Sequence, residues 1–160
     1  MLIIFDVDLV MRLPKIVTLA SLIVFAASLT QKGFSTAGEH PGDWSPGLYL
    51  LLIGPLGLLD GIFEWFANPF LLWAWIFSLI GKHKIALPLA VLATALIVAF
   101  LFRQTVIVSE APTYAKITGY AAGYWLWLTS AALAVVSALT GIFTRAAVSR
   151  PSDATGAPSS

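Results

Sequence analysis

Apolar positions along this chain fall into long runs, and its polar positions collect in the gaps between those runs. Residues 85–102, "IALPLAVLATALIVAFLF", hold Thr94 as their only polar side chain. At the helical rise those positions cover roughly 27 Å of the ~30 Å hydrocarbon layer of a bilayer. Pro88 falls in the first turn of that segment, where a missing N–H costs nothing. A second run, 119–143, "GYAAGYWLWLTSAALAVVSALTGIF", opens with Tyr120, Tyr124, Trp125 and Trp127 and stops before Arg145. Amphipathic aromatics at one end of an apolar run form the belt found at membrane interfaces. A third run, within 13–32, centres on "IVTLASLIVFAASLT" and follows Arg12 and Lys15. It also fits a secretory signal peptide, with basic residues, an apolar stretch and the small-residue run "AAS". Residues 1–10 fit neither picture, and Met11 followed by "RLPK" resembles a second start.

The stretch 47–81 admits two parses. Two spans, 47–63 and 69–80, would leave the second too short and the turn at "NP" almost without residues. The better parse makes 47–59, "GLYLLLIGPLGLL", an interfacial or re-entrant piece broken by Gly54, Pro55 and Gly57, followed by one span over 62–81. Basic residues arbitrate, because they concentrate on the cytoplasmic side of membrane proteins. With four spans and a cytoplasmic N-terminus, Arg12, Lys15, Lys82, Lys84, Arg145 and Arg150 lie inside and Lys32, Arg103 and Lys116 outside. Five spans would invert the balance. Residues 31–46 and 103–118 become polar outer loops. The tail 149–160 carries no apolar periodicity and reads as disordered and cytoplasmic. No internal repeat is visible, so an inverted-repeat transporter finds no support.

Composition agrees with this layout. Hydrophobic residues fill 59% of 160 positions and charged residues 11%, against about half and a quarter in an ordinary soluble domain. A chain this short has too small a soluble core to hide that excess. The net charge of +1 excludes the basic footprint of a nucleic-acid binder. The absence of cysteine removes disulfides, thiolate metal sites and a Cys nucleophile.

Candidate chemistry begins at "LLDGIFEWFANPF", 58–70, where Asp60, Glu64 and Asn68 recur every four residues. On a helix they share one face, and four spans put that face at the outer mouth of the second one. A carboxylate costs far less there than the ~2.5–3.5 kcal/mol charged at mid-membrane. Pro69 removes the hydrogen bond to the carbonyl of Trp65, leaving another polar group to satisfy. The stripe reads either as a site for a cation, proton or polar headgroup, or as solvated acids complementing a helix N-terminus.

Other residues carry weaker signals. His83, between Lys82 and Lys84, reads as part of a snorkelling, orienting trio. His40 beside Glu39 and Asp43 has no metal-site spacing, and neither a metal nor a cofactor is expected. The pairs Gly57/Gly61 and Gly119/Gly123 have the small-xxx-small spacing of close helix packing, as do Ala134/Ala138 and Ser137/Gly141. Trp73 and Trp75 lie deep in the second span, where indole N–H groups bonded across helices compete with a flat aromatic face for a lipid. No nucleophile elbow or phosphate loop is present.

Two runs, "WFANPFLLWAWIFSLIGKHK" at 65–84 and "KITGYAAGYWLWLTSAAL" at 116–133, resemble a group of small bacterial multi-pass membrane proteins with an aromatic "ANP" corner and a "GY...GYWLWL" opening to the last span. The resemblance covers the C-terminal two thirds. It implies a location and a layout, and it lends no catalytic residues.

The expectation is an all-α integral membrane protein of four helices, over 13–32, 62–81, 85–102 and 119–143, with an interfacial piece over 47–59. Residues 1–148 form one domain with both termini cytoplasmic in a bacterial inner membrane. Trp65 joins the interfacial aromatics. The expected partners are the bilayer and a membrane protein or a second copy. Three functions follow: a non-enzymatic accessory subunit, a small ion, proton or solute conductor using Asp60, Glu64 and Asn68, or an enzyme on a lipid substrate that would recruit Glu110 or Lys116.

Overall fold

The computed structural model describes residues 7–37, 46–107 and 114–148, without the side chains of residues 7–10, 60, 107 and 148. The tail 149–160, Glu39, His40 and Asp43, Glu110, Arg150 and the first six residues lie outside that set. The described chain is mostly helical, with α1 Val7–Leu29, α2 Gly47–Ile53, α3 Ala67–Leu79, α4 His83–Phe100 and α5 Ala122–Val148. Two 3-10 turns, Gly54–Asp60 and Phe63–Phe66, connect α2 to α3. Among the described residues, three stretches are long and apolar enough to cross a membrane: Met11–Leu29, His83–Phe100 and Ala122–Ala147. The α3 helix has 13 residues and Gly47–Leu59 is a shorter apolar helix.

The bundle is built inside out relative to a water-soluble core. Residues buried between helices are small, with Ala67 and Ala74 on α3, Ala86, Ala90 and Ala93 on α4, and Ala131, Ala134 and Ala138 on α5. Their spacing of three and four keeps each row on one helical face. Large apolar side chains point away from the bundle, among them Ile23, Leu72, Val91 and Phe143. Hydrophobic burial cannot drive helices together in lipid, so close backbone approach through small residues does so instead, while such a large exposed apolar surface in water would aggregate. Leu71, Trp75, Ile97 and Tyr124 complete the buried centre. Helix α1 runs along α5, α3 against α4, and α4 against α5.

At one end, α3 turns into α4 through Gly81, whose φ of 78° suits a residue without Cβ. This end also carries the start of α1 and the end of α5: a Cβ at Gly81 would strike the Arg145 guanidinium, and one at Gly141 would run into the His83 ring. Arg12, Lys15, Lys82, Lys84 and Arg145 therefore share this basic end. Pro88 lies inside α4, beyond its first turn, because the helix begins at His83. It has no N–H to offer the Lys84 carbonyl.

The opposite end corrects the all-α expectation. The polar connections after α1 and α4 contribute a three-stranded antiparallel sheet in the order β1-β3-β2, from β1 Phe34–Thr36, β2 Thr105–Ile107 and β3 Tyr114–Tyr120. Phe34 faces Tyr120 and Ser35 faces Gly119, with a bulge before Thr36, while Val106 faces Ala115. β-Branched and aromatic residues at Thr105, Val106, Ile117 and Tyr120 suit a pleated surface with one covered face. Phe34, Val106 and Ala115 make a small core under the sheet, against Leu50 and Phe100. The last helix consequently starts at Ala122 instead of 119, because Gly119 and Tyr120 belong to β3. The Gly123 N–H donates to the Lys32 carbonyl at 2.9 Å, and a Cβ there would lie 2.7 Å from that oxygen. The glycine lets the end of α1 dock on the start of α5.

Candidate ligand cavity

The acidic stripe is not a free row of ligands. Phe63–Phe66, which contains Glu64, is a 3-10 turn, and the chain turns at Gly61 with φ 73°, so the i, i+4, i+8 register of one α-helix does not extend over 60–68. Glu64 instead meets Arg103, from the connection after α4. Arg103 Nε donates to Glu64 Oε1 at 2.9 Å and its Nη2 to Oε2 at 3.0 Å. The same Nη2 reaches the Gly61 carbonyl at 3.0 Å. This fork-on-fork geometry is the strongest form of ion pair, with both partners largely shielded from solvent. The Asp60 side chain lies outside the described residues. Asn68 eases the problem that Pro69 creates, since its Nδ2 donates to the Trp65 carbonyl at 3.1 Å, beside the Ala67 N–H on the acceptor that Pro69 has no N–H to reach.

Behind this pair lies a cavity of about 740 Å³, between the end of α1, the 47–62 segment, the start of α3 and the start of α5. That volume falls in the range of small-molecule sites, roughly 300–1,000 Å³. Leucines and isoleucines of α2 and the following turn form one wall, and Phe25, Phe34 and Phe100 another. Glu64 and Asn68 line it, and Arg103 does not. Trp65 fixes the outer wall: its Nε1 donates to the Leu51 carbonyl at 3.0 Å, and its ring occupies the place a Cβ on Gly54 would need.

The remaining aromatics divide by role. Tyr124 OH donates to the Ile97 carbonyl at 2.9 Å and Tyr120 OH to the Phe100 carbonyl at 2.8 Å, the first at a carbonyl near the end of α4 and the second at one that also accepts the Arg103 N–H at 3.1 Å. Burial pushes the Tyr120 phenol above its usual range, which keeps it a donor. Trp125 is half exposed. Trp127 lines the cavity, but its Nε1 is sealed from it and has no hydrogen-bond partner among the described residues. The glycine pairs do not act as helix-packing pairs here. Gly57 lies in a 3-10 turn against Ile62, Gly61 ends that turn, and Gly119 sits in β3 with nothing within 4 Å.

A second polar cluster, near the basic end, joins three helices. Thr18, Ser78 and Ser137 form a triangle of hydroxyls with sides of 3.0, 2.6 and 2.9 Å. Thr18 and Ser137 also reach the Pro14 carbonyl at 2.9 and 2.8 Å. Next to it, Trp75 Nε1 donates to Ser21 Oγ at 2.8 Å, and the Ser21 hydroxyl donates to the Ser130 carbonyl at 2.7 Å. Trp75 is 4% exposed and Trp73 51%, so the expectation of an indole bonded across helices describes Trp75, while Trp73 faces outward. His83 is buried rather than snorkelling, its Nδ1 3.4 Å from Ser78 Oγ. A serine beside a histidine suggests a nucleophile and base, but the cavity does not reach either residue. Among the described residues no His, Asp and Glu gather in a group able to hold a metal.

Arg103 and the hydroxyl cluster are the functional groups the sequence reading missed. Arg103 had a signal: it was placed on the same side of the bilayer as Glu64. The hydroxyls had one too, in the helical spacing of Ser130, Ser137 and Gly141. No family model, no curated protein and no solved structure matches this chain.

Proposed function

We propose that this is a non-enzymatic accessory protein of a bacterial inner membrane that holds the apolar chain of a membrane amphiphile in the cavity at its sheet end. The apolar 740 Å³ space, walled by a 3-10 and short-helix segment rather than by a full span, carries the proposal. Four crossings are part of it. Phe63–Phe66 and α3 together add 4 and 13 residues, about 28 Å at 3-10 and α-helical rise, close to the ~30 Å of the hydrocarbon layer. The basic end then faces the cytoplasm, with five described Lys and Arg residues against Lys32, Arg103 and Lys116 at the other. The bacterial setting rests on the resemblance at 65–84 and 116–133.

Two observations favour this reading over its rivals. A conductor needs charged or carbonyl groups spaced along a path, and the described lining of the cavity holds a single charged side chain, Glu64, whose charge is paired with Arg103. An enzyme needs substrate access to its nucleophile, and the Ser78–His83 contact is closed off. The test is native mass spectrometry of the protein released from mild detergent. We expect retained adducts of lipid mass, lost when Ile53→Trp fills the cavity. Bare protein under conditions that preserve lipid on a control membrane protein would overturn the proposal.

A further inference from the structure

We infer that the amphiphile in this cavity carries a head that donates hydrogen bonds and bears no negative charge, such as a long-chain alcohol or amine; this rests on the cavity reading above. Most donor-bearing lining side chains other than Tyr49 have already spent their donors on the protein itself. The Ser28 hydroxyl hydrogen goes to the Phe25 carbonyl at 2.6 Å. The Trp65 indole hydrogen goes to Leu51 and the Tyr124 hydroxyl hydrogen to Ile97. Asn68 gives one of its two amide hydrogens to Trp65 and keeps its carbonyl oxygen. Trp127 has a spare N–H, but that atom is out of contact with the cavity.

Acceptors are in the opposite state. A carboxylate offers about four lone-pair sites and no donor. The described bonds to Glu64 come from Arg103 alone, one on each oxygen, so half of its capacity is open. Asn68 Oδ1 and the Ser28 oxygen add to the same side of the count. The charge distribution agrees, since Glu64 lines the cavity and its cationic partner does not. An anionic head would meet a carboxylate and, Tyr49 aside, a single spare amide hydrogen on Asn68 inside an apolar wall, losing most of its water without replacement. A hydroxyl or ammonium head would meet oxygens already held in place by their own bonds.

The test uses full-length protein in detergent micelles and four probes of one chain length: hexadecanol, hexadecylamine, hexadecanoate and hexadecyl phosphate. Binding is measured by native mass spectrometry, with Ile53→Trp as the control for adsorption to the micelle. The expected result is that the alcohol and the amine bind roughly tenfold tighter than either anion, the ratio produced by leaving one buried polar group unpaired. In Glu64→Gln, which frees Arg103 and removes the carboxylate, the anions should gain and the amine should weaken relative to the alcohol. Equal binding of all four probes, or tighter binding of the phosphate, overturns the head assignment and leaves the cavity reading standing. Failure of all four, with a correctly folded wild type by circular dichroism, overturns the cavity reading itself. The wild-type series decides the question even if the Glu64 variant does not fold.

Discussion

Near the basic end, Thr18, Ser78 and Ser137 draw three helices to hydroxyl-to-hydroxyl distances of 2.6–3.0 Å; at the sheet end the same bundle opens around a cavity of about 740 Å³. Both regions use apolar helices, and they differ in what fills the interface. Small residues and short polar side chains let backbones meet, and each buried hydroxyl finds a partner because none is offered by lipid. At the sheet end the wall is the 47–62 segment, where Gly54, Pro55 and Gly57 interrupt helix formation and no residue of α2 is buried. The lesson is that in an apolar solvent polarity marks the tight part of a bundle and unbroken hydrophobicity marks the loose part.

That contrast can be broken, most forcefully at Gly141. A side chain there would enter the His83 ring, so Gly141→Leu should cost about 3 kcal/mol or more, read as a fall in the detergent melting temperature. The double variant with His83→Ala should recover part of the loss. A Gly141→Leu protein melting like wild type would show that the basic end is not tightly closed. The next largest effect is expected at Arg103→Met, which leaves Glu64 unpaired beside the cavity. Removing one member of a buried pair costs ~3–5 kcal/mol; partial exposure reduces this to about 2 kcal/mol. A double-mutant cycle with Glu64→Gln should show strong coupling, and additive effects would refute the pair.

Smaller effects sharpen the comparison. Thr18→Val and Ser137→Ala should each cost about 0.6 kcal/mol, the typical value for a hydroxyl bonded between membrane helices. Because they share the Pro14 carbonyl, the two losses should not add. Hydrogen exchange should be faster over 47–62 than over α1, since regions with few buried contacts open most easily. Trp73→Leu should change stability by less than about 0.5 kcal/mol, as an outward-facing side chain does, whereas Trp75→Leu should be clearly destabilising because it removes a buried indole together with its hydrogen bond to Ser21.

Much of the helical layout was legible in the sequence. The run around Thr94 gave α4 to within two residues at each end, since uninterrupted apolar character is a strong signal and Arg103 and the "GKHK" turn bound it. The sheet was hidden. Strands of three residues hold too little alternation to register, and 31–46 and 103–118 are full of turn residues that describe loops equally well. The stripe at Asp60, Glu64 and Asn68 misled because spacing of four implies a shared face only where the helix is continuous, and Gly61 breaks it. Ser78 and Ser137 were visible as small polar residues, but which hydroxyls meet depends on helix rotation, which one sequence does not contain.

The order β1-β3-β2 also bears on how the chain is made. The middle strand is synthesised last, after α4, so β1 and β2 wait without their hydrogen-bonded neighbour until the ribosome has passed Tyr120. Pairing across the sheet thus acts as a completion step: it can seal only when the fourth helix is already in place and the fifth is about to follow.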